Sequence, residues 1–281
     1  MASDFHLHSR CSDGSDTLEE LFVRCRDRGL DTVALTDHDR VDHLDRAKKI
    51  ATDVGLRFVR GVEISAVGPE GFPGSGQKVH ILGLFLGPDA SAIEVLCAPI
   101  RAARHAQSLR QADILRHLGY ELPAEELAEA CKESGVLYKQ HLMEALIRRG
   151  KADGQYGDVY RSLFKAGGPL VGDIQYADAF EAIRAVRCSG GVAVLAHPGL
   201  YKTWDLVPAL VEAGLGGIEV DHPSMGVDDQ ARSQDLADRF SLMTSGGSDW
   251  HGTYGEEGPP GTHRVPAWSE VHLDGAHNPT S

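Results

Sequence analysis

The chain has 281 residues, 42% of them hydrophobic and 25% charged, enough for one large domain or two smaller ones around a sizeable core. A formal net charge of −13 excludes a broad nucleic-acid or anionic-membrane surface, since both need clustered positive charge. It does not exclude a small phosphorylated substrate, because a local metal cluster reverses the sign of the field.

Taken in order, "FHLHSRCSDG" places His6 and His8 two apart, with Asp13 close behind. "TLEELFVRCRDRGL" sets Leu18, Leu21, Phe22 and Cys25 at helical spacing, with Thr17 and Glu20 as a capping box and Gly29 as a stop. "DTVALTDHD" reads as a buried strand, and "HLDRAKKIATDVG" as a helix ending at Gly55. "LRFVRGVEIS" and "KVHILGLFL" read as strands around a Gly/Pro-rich loop at 68–76. From about residue 90 to Gly168 four helical segments follow without a strand, which predicts a helical insertion. Strand–helix alternation then resumes through "VAVLAHPG", "GIEV" and "SLMTSGGSDWHG". The expected organisation is a catalytic barrel over 1–255, interrupted by 90–168, with a partly ordered tail at 256–281.

Met1 leads almost directly into a polar turn, and no apolar run approaches the ~18 residues that span a bilayer. Five cysteines, Cys11, Cys25, Cys97, Cys131 and Cys188, are widely spaced and lack a C-x-x-C pair, so free thiols in a reducing compartment are expected. These features predict a cytoplasmic protein.

Each predicted strand carries a metal-type or acid–base residue at its C-terminal end. They are His6 and His8, then Asp37, His38 and Asp39, then Glu63, His80, His197, the run Glu219 to His222, and Asp249 with His251. A lone H-x-H means little, and His43, His105, His117, His263, His272 and His277 carry no assignment. Seven strand ends in this pattern are harder to dismiss. They converge if parallel strands share one face, which predicts an α/β fold, a distorted (β/α)7 TIM-like barrel. Imidazole plus carboxylate without thiolate suits Zn²⁺, Mn²⁺ or Fe²⁺.

The ordered set "HLH", "SDG", "LTDHD", "GVEIS", "VHILG", "KQH", "LAHPG" and "GSDWH" resembles the polymerase-and-histidinol-phosphatase (PHP) superfamily from His6 to His251. The resemblance implies two or three divalent ions, Mn²⁺ foremost. It gives one ion to His6, His8, Glu63 and Asp249, a second to Glu63, His80 and His141, and a third to Asp13, His38 and His251. Some relatives carry histidine at the Asp13 position; aspartate there is common in the nucleotide- and sugar-phosphate-cleaving branch.

The resemblance also implies hydrolysis of a phosphate ester by a metal-bridged hydroxide. His197 and Asp249 are the expected catalytic residues, with His197 as general acid or phosphate contact, and Lys139 and Arg10 are expected to bind phosphate. "YKQHLM" and "GGSDWHG" look closer to the cyclic phosphate dihydrolase branch, which opens 5-phosphoribosyl 1,2-cyclic phosphate, than to the nucleoside 3′,5′-bisphosphate phosphatases that also trim oligonucleotides. A histidinol phosphate phosphatase is less favoured, given Asp13. A non-catalytic metal-stabilised binding protein is the alternative of another class. The expected partner is a small phosphorylated substrate, with no membrane and no extended nucleic acid; the sequence leaves the oligomeric state open.

Overall fold

A computed structural model describes residues 2–165, 167–256 and 258–266. Its strands are β1 (Ser3–Asp4), β2 (Thr32–Leu35), β3 (Arg57–Val67), β4 (Lys78–Leu84), β5 (Ala177–Asp178), β6 (Val192–Leu195), β7 (Gly217–Asp221) and β8 (Met243–Gly246). They form one sheet in the order β1-β2-β3-β4-β6-β7-β8, with β5 added to the far end of β3. The sheet curls until its edges meet. Leu7 bridges Trp250 in parallel, the Phe5 N–H donates to the Gly246 carbonyl at 3.1 Å, and the His8 N–H donates to the Trp250 carbonyl at 2.9 Å. The result is a nearly closed barrel, which removes most of the exposed strand edge.

Helices α1 (Leu18–Asp27) and α2 (Leu44–Asp53) follow β1 and β2. The Thr17–Glu20 capping box forms, and α1 buries Leu18, Leu21, Phe22 and Cys25. Between β4 and β5 run α3 (Ser91–His117), α4 (Ala124–Ala130), α5 (Lys139–Arg148) and α6 (Asp158–Phe164). These helices close over a core of their own that includes Leu115, Leu127, Leu142, Leu146 and Phe164. Then come α7 (Ala179–Cys188), the short α8 (Pro198–Tyr201) and α9 (Val207–Glu212), and α10 (Val227–Phe240). All five cysteines are free thiols, with Cys11, Cys25 and Cys97 buried. Among the described residues no helix is long and apolar enough to cross a membrane.

One strand of the mainly parallel sheet runs the other way. β4 runs antiparallel to both β3 and β6. The loop after β3 has no helix to carry the chain back across the sheet, so β3 and β4 form a hairpin. His80 therefore serves the shared face from the beginning of its strand rather than the end. The register pairs it with Ser65, two residues past Glu63.

Residues beyond Gly255 are drawn back onto the barrel up to Pro266, whereas the expectation for 267–281 lies outside the described residues. The Val265 N–H donates to the Ser3 carbonyl at 3.0 Å, and the Gly261 N–H donates to Asp4 Oδ2 at 2.8 Å. Asp4 Oδ1 also accepts from the backbones of His6 (3.2 Å) and Ser248 (3.1 Å), locking the barrel seam. Burial pushes the Asp4 carboxyl up to about 6 in spite of these bonds.

At the same seam Gly247 lies so close to its neighbour that a Cβ would sit 2.4 Å from the His6 nitrogen. We expect Gly247→Ala to cost about 1–3 kcal/mol by overpacking, seen as a fall of several degrees in the thermal unfolding midpoint. The same backbone shift displaces His6, so bound metal should fall too.

Candidate metal centre

The extension beyond β1 turns His6 and His8 to one side, as alternation in an extended chain requires. Glu63 rises from the middle of β3, and Asp249 follows β8. His6 Nε2 lies 3.3 Å from both Glu63 Oε2 and Asp249 Oδ1, and His8 Nε2 lies 3.2 Å from the same two oxygens. A tetrahedral ion with bonds of about 2.0–2.1 Å spaces its ligands by roughly 3.3–3.4 Å, so these four edges match one ion. His6 Nε2, His8 Nε2 and Asp249 Oδ1 are buried without a hydrogen-bond partner. His6 contacts Glu219 Oε1 through Nδ1 at 3.0 Å, so its neutral form presents a lone pair at Nε2 to the carboxylate oxygens. Only a cation, or a proton in its place, makes that arrangement favourable.

The other Glu63 oxygen builds a second set. His80 Nδ1 lies 2.6 Å and His197 Nε2 2.9 Å from Oε1, while His38 Nε2 lies 3.3 Å from Oε2. A looser third set surrounds Asp13, with His251 Nε2 and His8 Nδ1 at 3.5 and 3.8 Å from Oδ1, and His38 Nε2 at 4.0 Å from Oδ2. The electrostatics follow from this crowding. Burial alone would raise Glu63, Asp13 and Asp249, but the surrounding imidazoles hold all three well below the usual carboxylate range. Burial pushes His38 down to about 4, leaving it neutral and able to donate a lone pair. For His6 burial also opposes the charge, yet Asp249, Glu219 and Glu63 outweigh it and raise the imidazole.

A further layer of bonds holds these groups. Glu219 Oε2 accepts the His197 backbone N–H at 2.7 Å while its Oε1 meets the His6 ring, so one carboxylate ties the His6 imidazole to the chain at His197. Asp37 accepts from the Ser9 N–H (2.8 Å), from the Ser9 and Ser12 hydroxyls (2.7 and 2.5 Å), and meets His43 Nε2 at 2.8 Å, which fixes the turn carrying Asp13. Three of the strand-end residues adopt the left-handed region: Asp39 at φ 57°, His197 at φ 26° and Asp249 at φ 53°. Backbone strain at non-glycine residues collects where geometry serves function.

Beside the cluster opens a cavity of about 820 Å³, lined by Asp13, Glu63, His80, His197 and Asp249. Arg104, Lys139, Tyr138, Tyr176 and Tyr201 line it too, with the Tyr201 ring against His80 and His197.

A family model described as the PHP domain matches residues 4–137. A phosphoribosyl 1,2-cyclic phosphate 1,2-diphosphodiesterase of Eggerthella lenta is 45% identical, over 95% of this chain and all of that one. The chain belongs to the PHP family. A 3′,5′-nucleoside bisphosphate phosphatase of Chromobacterium violaceum is 31% identical, over 88% of this chain and 86% of its own. Among solved structures, a protein assigned as a metal-dependent phosphoesterase from Bifidobacterium adolescentis matches with a TM-score of 0.86 at 27% identity, covering 98% of this chain and 96% of that one.

Within this PHP barrel, His6, His8, Asp13, His38, Glu63, His80, Asp249 and His251 are brought together as the sequence predicts. His141 is not. Its Nδ1 accepts the Tyr138 N–H at 3.2 Å, closing the first turn of α5, and its ring packs against Tyr138 and Tyr254. Beside Glu63 and His80, where the resemblance puts His141, stands His197, with Nε2 2.9 Å from Glu63 Oε1. Arg10 is exposed, donates through Nε to the Ser15 carbonyl, and does not line the cavity. Lys139 does line it, making no ion pair among the described residues, and burial lowers its ammonium below the usual lysine range.

Sequence reasoning gave no site role to Glu219, His222 and Gln140. His222 Nε2 lies 3.3 Å from Asp249 Oδ2, and Gln140 donates to Asp13 Oδ2 at 3.0 Å. For Glu219 and His222 the strand-end position in "IEVDH" was the available signal; Gln140 had none beyond its place beside Lys139.

Two measurements check this arrangement. Glu219→Gln should weaken metal binding about 10- to 100-fold, read by competition with a chelator; unchanged affinity would remove Glu219 from the support of His6. His197→Asn should lose metal by elemental analysis while His141→Asn keeps it, and the reverse pattern would restore the original ligand set.

Proposed function

We propose that this protein is a metal-dependent phosphoesterase that hydrolyses 5-phosphoribosyl 1,2-cyclic phosphate, first opening the cyclic diester and then cleaving the resulting monoester. The observation that carries the reading is the 45% identity that extends over the whole of a relative with that activity in its name. The donor geometry supports the metal requirement. His6, His8, Glu63 and Asp249 would hold one ion, Glu63, His80 and His197 a second, and Asp13, His38 and His251 a third. Mn²⁺ is the first choice, with Zn²⁺ and Fe²⁺ as alternatives for a site of imidazole and carboxylate. Divalent ions there make water nucleophilic at neutral pH and offset charge gathering on the phosphoryl oxygens.

The chain's own groups do the rest. Glu63 joins the ligand sets through its two oxygens, and Glu219 keeps His6 and His197 in register with it. Lys139, drawn into the cavity wall, contacts substrate phosphate. A cavity of about 820 Å³ suits a small substrate, and the net charge of −13 disfavours an extended nucleic acid. The free, partly buried thiols fit a reducing cytoplasm.

The second reading is a nucleoside 3′,5′-bisphosphate 3′-phosphatase, favoured by the 31% identical relative. The deciding test is release of phosphate by the Mn²⁺-loaded protein from 5-phosphoribosyl 1,2-cyclic phosphate, adenosine 3′,5′-bisphosphate and histidinol phosphate. The cyclic phosphate should give a kcat/KM at least about tenfold above the others, a difference of ~1.4 kcal/mol in transition-state binding. Preference for the bisphosphate would install the second reading, and no turnover of any ester with metal bound would point to a non-catalytic binding protein.

A further inference from the structure

Arg104 reaches the cavity from α3, a helix that contributes no metal-type donor to the cluster. Its Nη2 donates to Asp39 Oδ2 and lies against Ser65 Oγ, both at 2.8 Å. Its guanidinium lies over Tyr138 at 5.4 Å and Tyr176 at 6.0 Å from the ring centroids. The Nε is buried with no partner, and among the described residues no hydrogen bond engages Nη1. A guanidinium four-fifths buried and held by one edge, with a buried Nε unpaired, is costly unless something fills its remaining donors. Asp39 spends a left-handed backbone and its whole carboxylate on this arrangement, since Oδ1 accepts the Ser65 N–H at 2.8 Å.

The position of this cation sets what it can bind. Ser65 lies two residues beyond Glu63 on β3, on the same face, so the two Cα atoms are separated by about 6.5 Å. Arg104, bonded to Ser65, is thus set off from the Glu63 donors by a step of that order along β3 while lining the same cavity. Lys139 lines the same cavity, with its Nζ over the Tyr160 ring at 5.7 Å.

We infer that Arg104 and Lys139 form a subsite for a second, non-reacting phosphate, so that the enzyme selects small esters carrying two phosphate groups one sugar apart. The inference rests on the phosphoesterase reading for its choice of substrate, but not for its geometry. The planar fork takes a phosphate with directed bonds, and the lysine adds a point charge. Clamping the far phosphate positions the reacting one at the metals, which turns remote binding into rate.

The test compares 5-phosphoribosyl 1,2-cyclic phosphate with ribose 1,2-cyclic phosphate, which lacks the far phosphate, on the Mn²⁺-loaded full chain. The ratio of their kcat/KM values is read in the unaltered protein, Arg104→Gln and Lys139→Met. Because both substrates meet the same protein, the ratio is insensitive to a loss of folded fraction. The ratio should fall by about 10- to 100-fold in Arg104→Gln, the worth of a charge-assisted bond, and fall also in Lys139→Met. A ratio unchanged in Arg104→Gln overturns the subsite, whatever the absolute rates do.

Ribose 5-phosphate binding to chelator-treated protein, measured by calorimetry, separates the two claims. Binding that weakens at least about tenfold in both variants, without turnover of either cyclic phosphate, keeps the subsite and discards the proposed substrate. Turnover that persists with ribose 5-phosphate binding indifferent to both residues does the opposite.

Discussion

One carboxylate organises this molecule. Glu63, 1% exposed, is met by five imidazoles: His80 and His197 at one oxygen, His6, His8 and His38 at the other, all within 3.3 Å. An isolated carboxylate so far from water would cost many kcal/mol and would protonate instead. Imidazoles lower that cost where they donate an N–H, but His6, with Nδ1 engaged by Glu219, turns a lone pair toward Glu63 Oε2 in its neutral form and does not. Cations between them do, and the donor spacing around His6, His8, Glu63 and Asp249 is that of ligands sharing one ion. The site therefore exists to be filled. Its metal-free form is a set of opposed donors held in place by the rest of the fold.

Holding them takes the whole barrel. The five imidazoles and Asp249 come from five separate stretches, with His6 and His8 after β1 and the others at or just past β2, β4, β6 and β8, so no local segment can assemble the cluster, and loss of the seam between the first and last strands would scatter it. Asp4 closes that seam by accepting three backbone N–H groups, and its full burial there raises its pKa. Glu219 acts one layer out, tying His6 to the backbone of His197. Residues in the left-handed region at Asp39, His197 and Asp249 show that local backbone preference yields to this convergence.

Much of this was legible in the chain because it is written in local patterns. The apolar strand runs, the Thr17–Glu20 cap and the polar residue at each strand end require no knowledge of the fold, and the ordered motifs fix the family. What escaped depends on contacts between distant segments. The reversed direction of β4 leaves no mark in "KVHILG", because a buried strand reads the same either way. His141 and His197 are both histidines beside motif residues, and only the register of β6 against β4 decides that the second reaches Glu63. Arg104 sits among Arg101 and Arg110 on one long helix, where a solvated face is the ordinary reading; its burial follows from Asp39 and the two tyrosines.

The division of chemistry between barrel and insertion has a consequence for charge. The barrel supplies imidazoles and carboxylates, a negative set that becomes positive only with its ions. The insertion supplies Arg104 and Lys139, cations that require no metal. An enzyme of net charge −13 can admit a doubly phosphorylated ligand only if both contributions meet at the mouth of the cavity. The two contributions are joined in the fold: α3 buries Ile93, Cys97 and Ile100 in the barrel core, and its Arg104 bonds Asp39 and Ser65, the latter two residues from Glu63 on β3. The reaction is thereby anchored in the sheet, and the cations that choose the ester are held against the same strands.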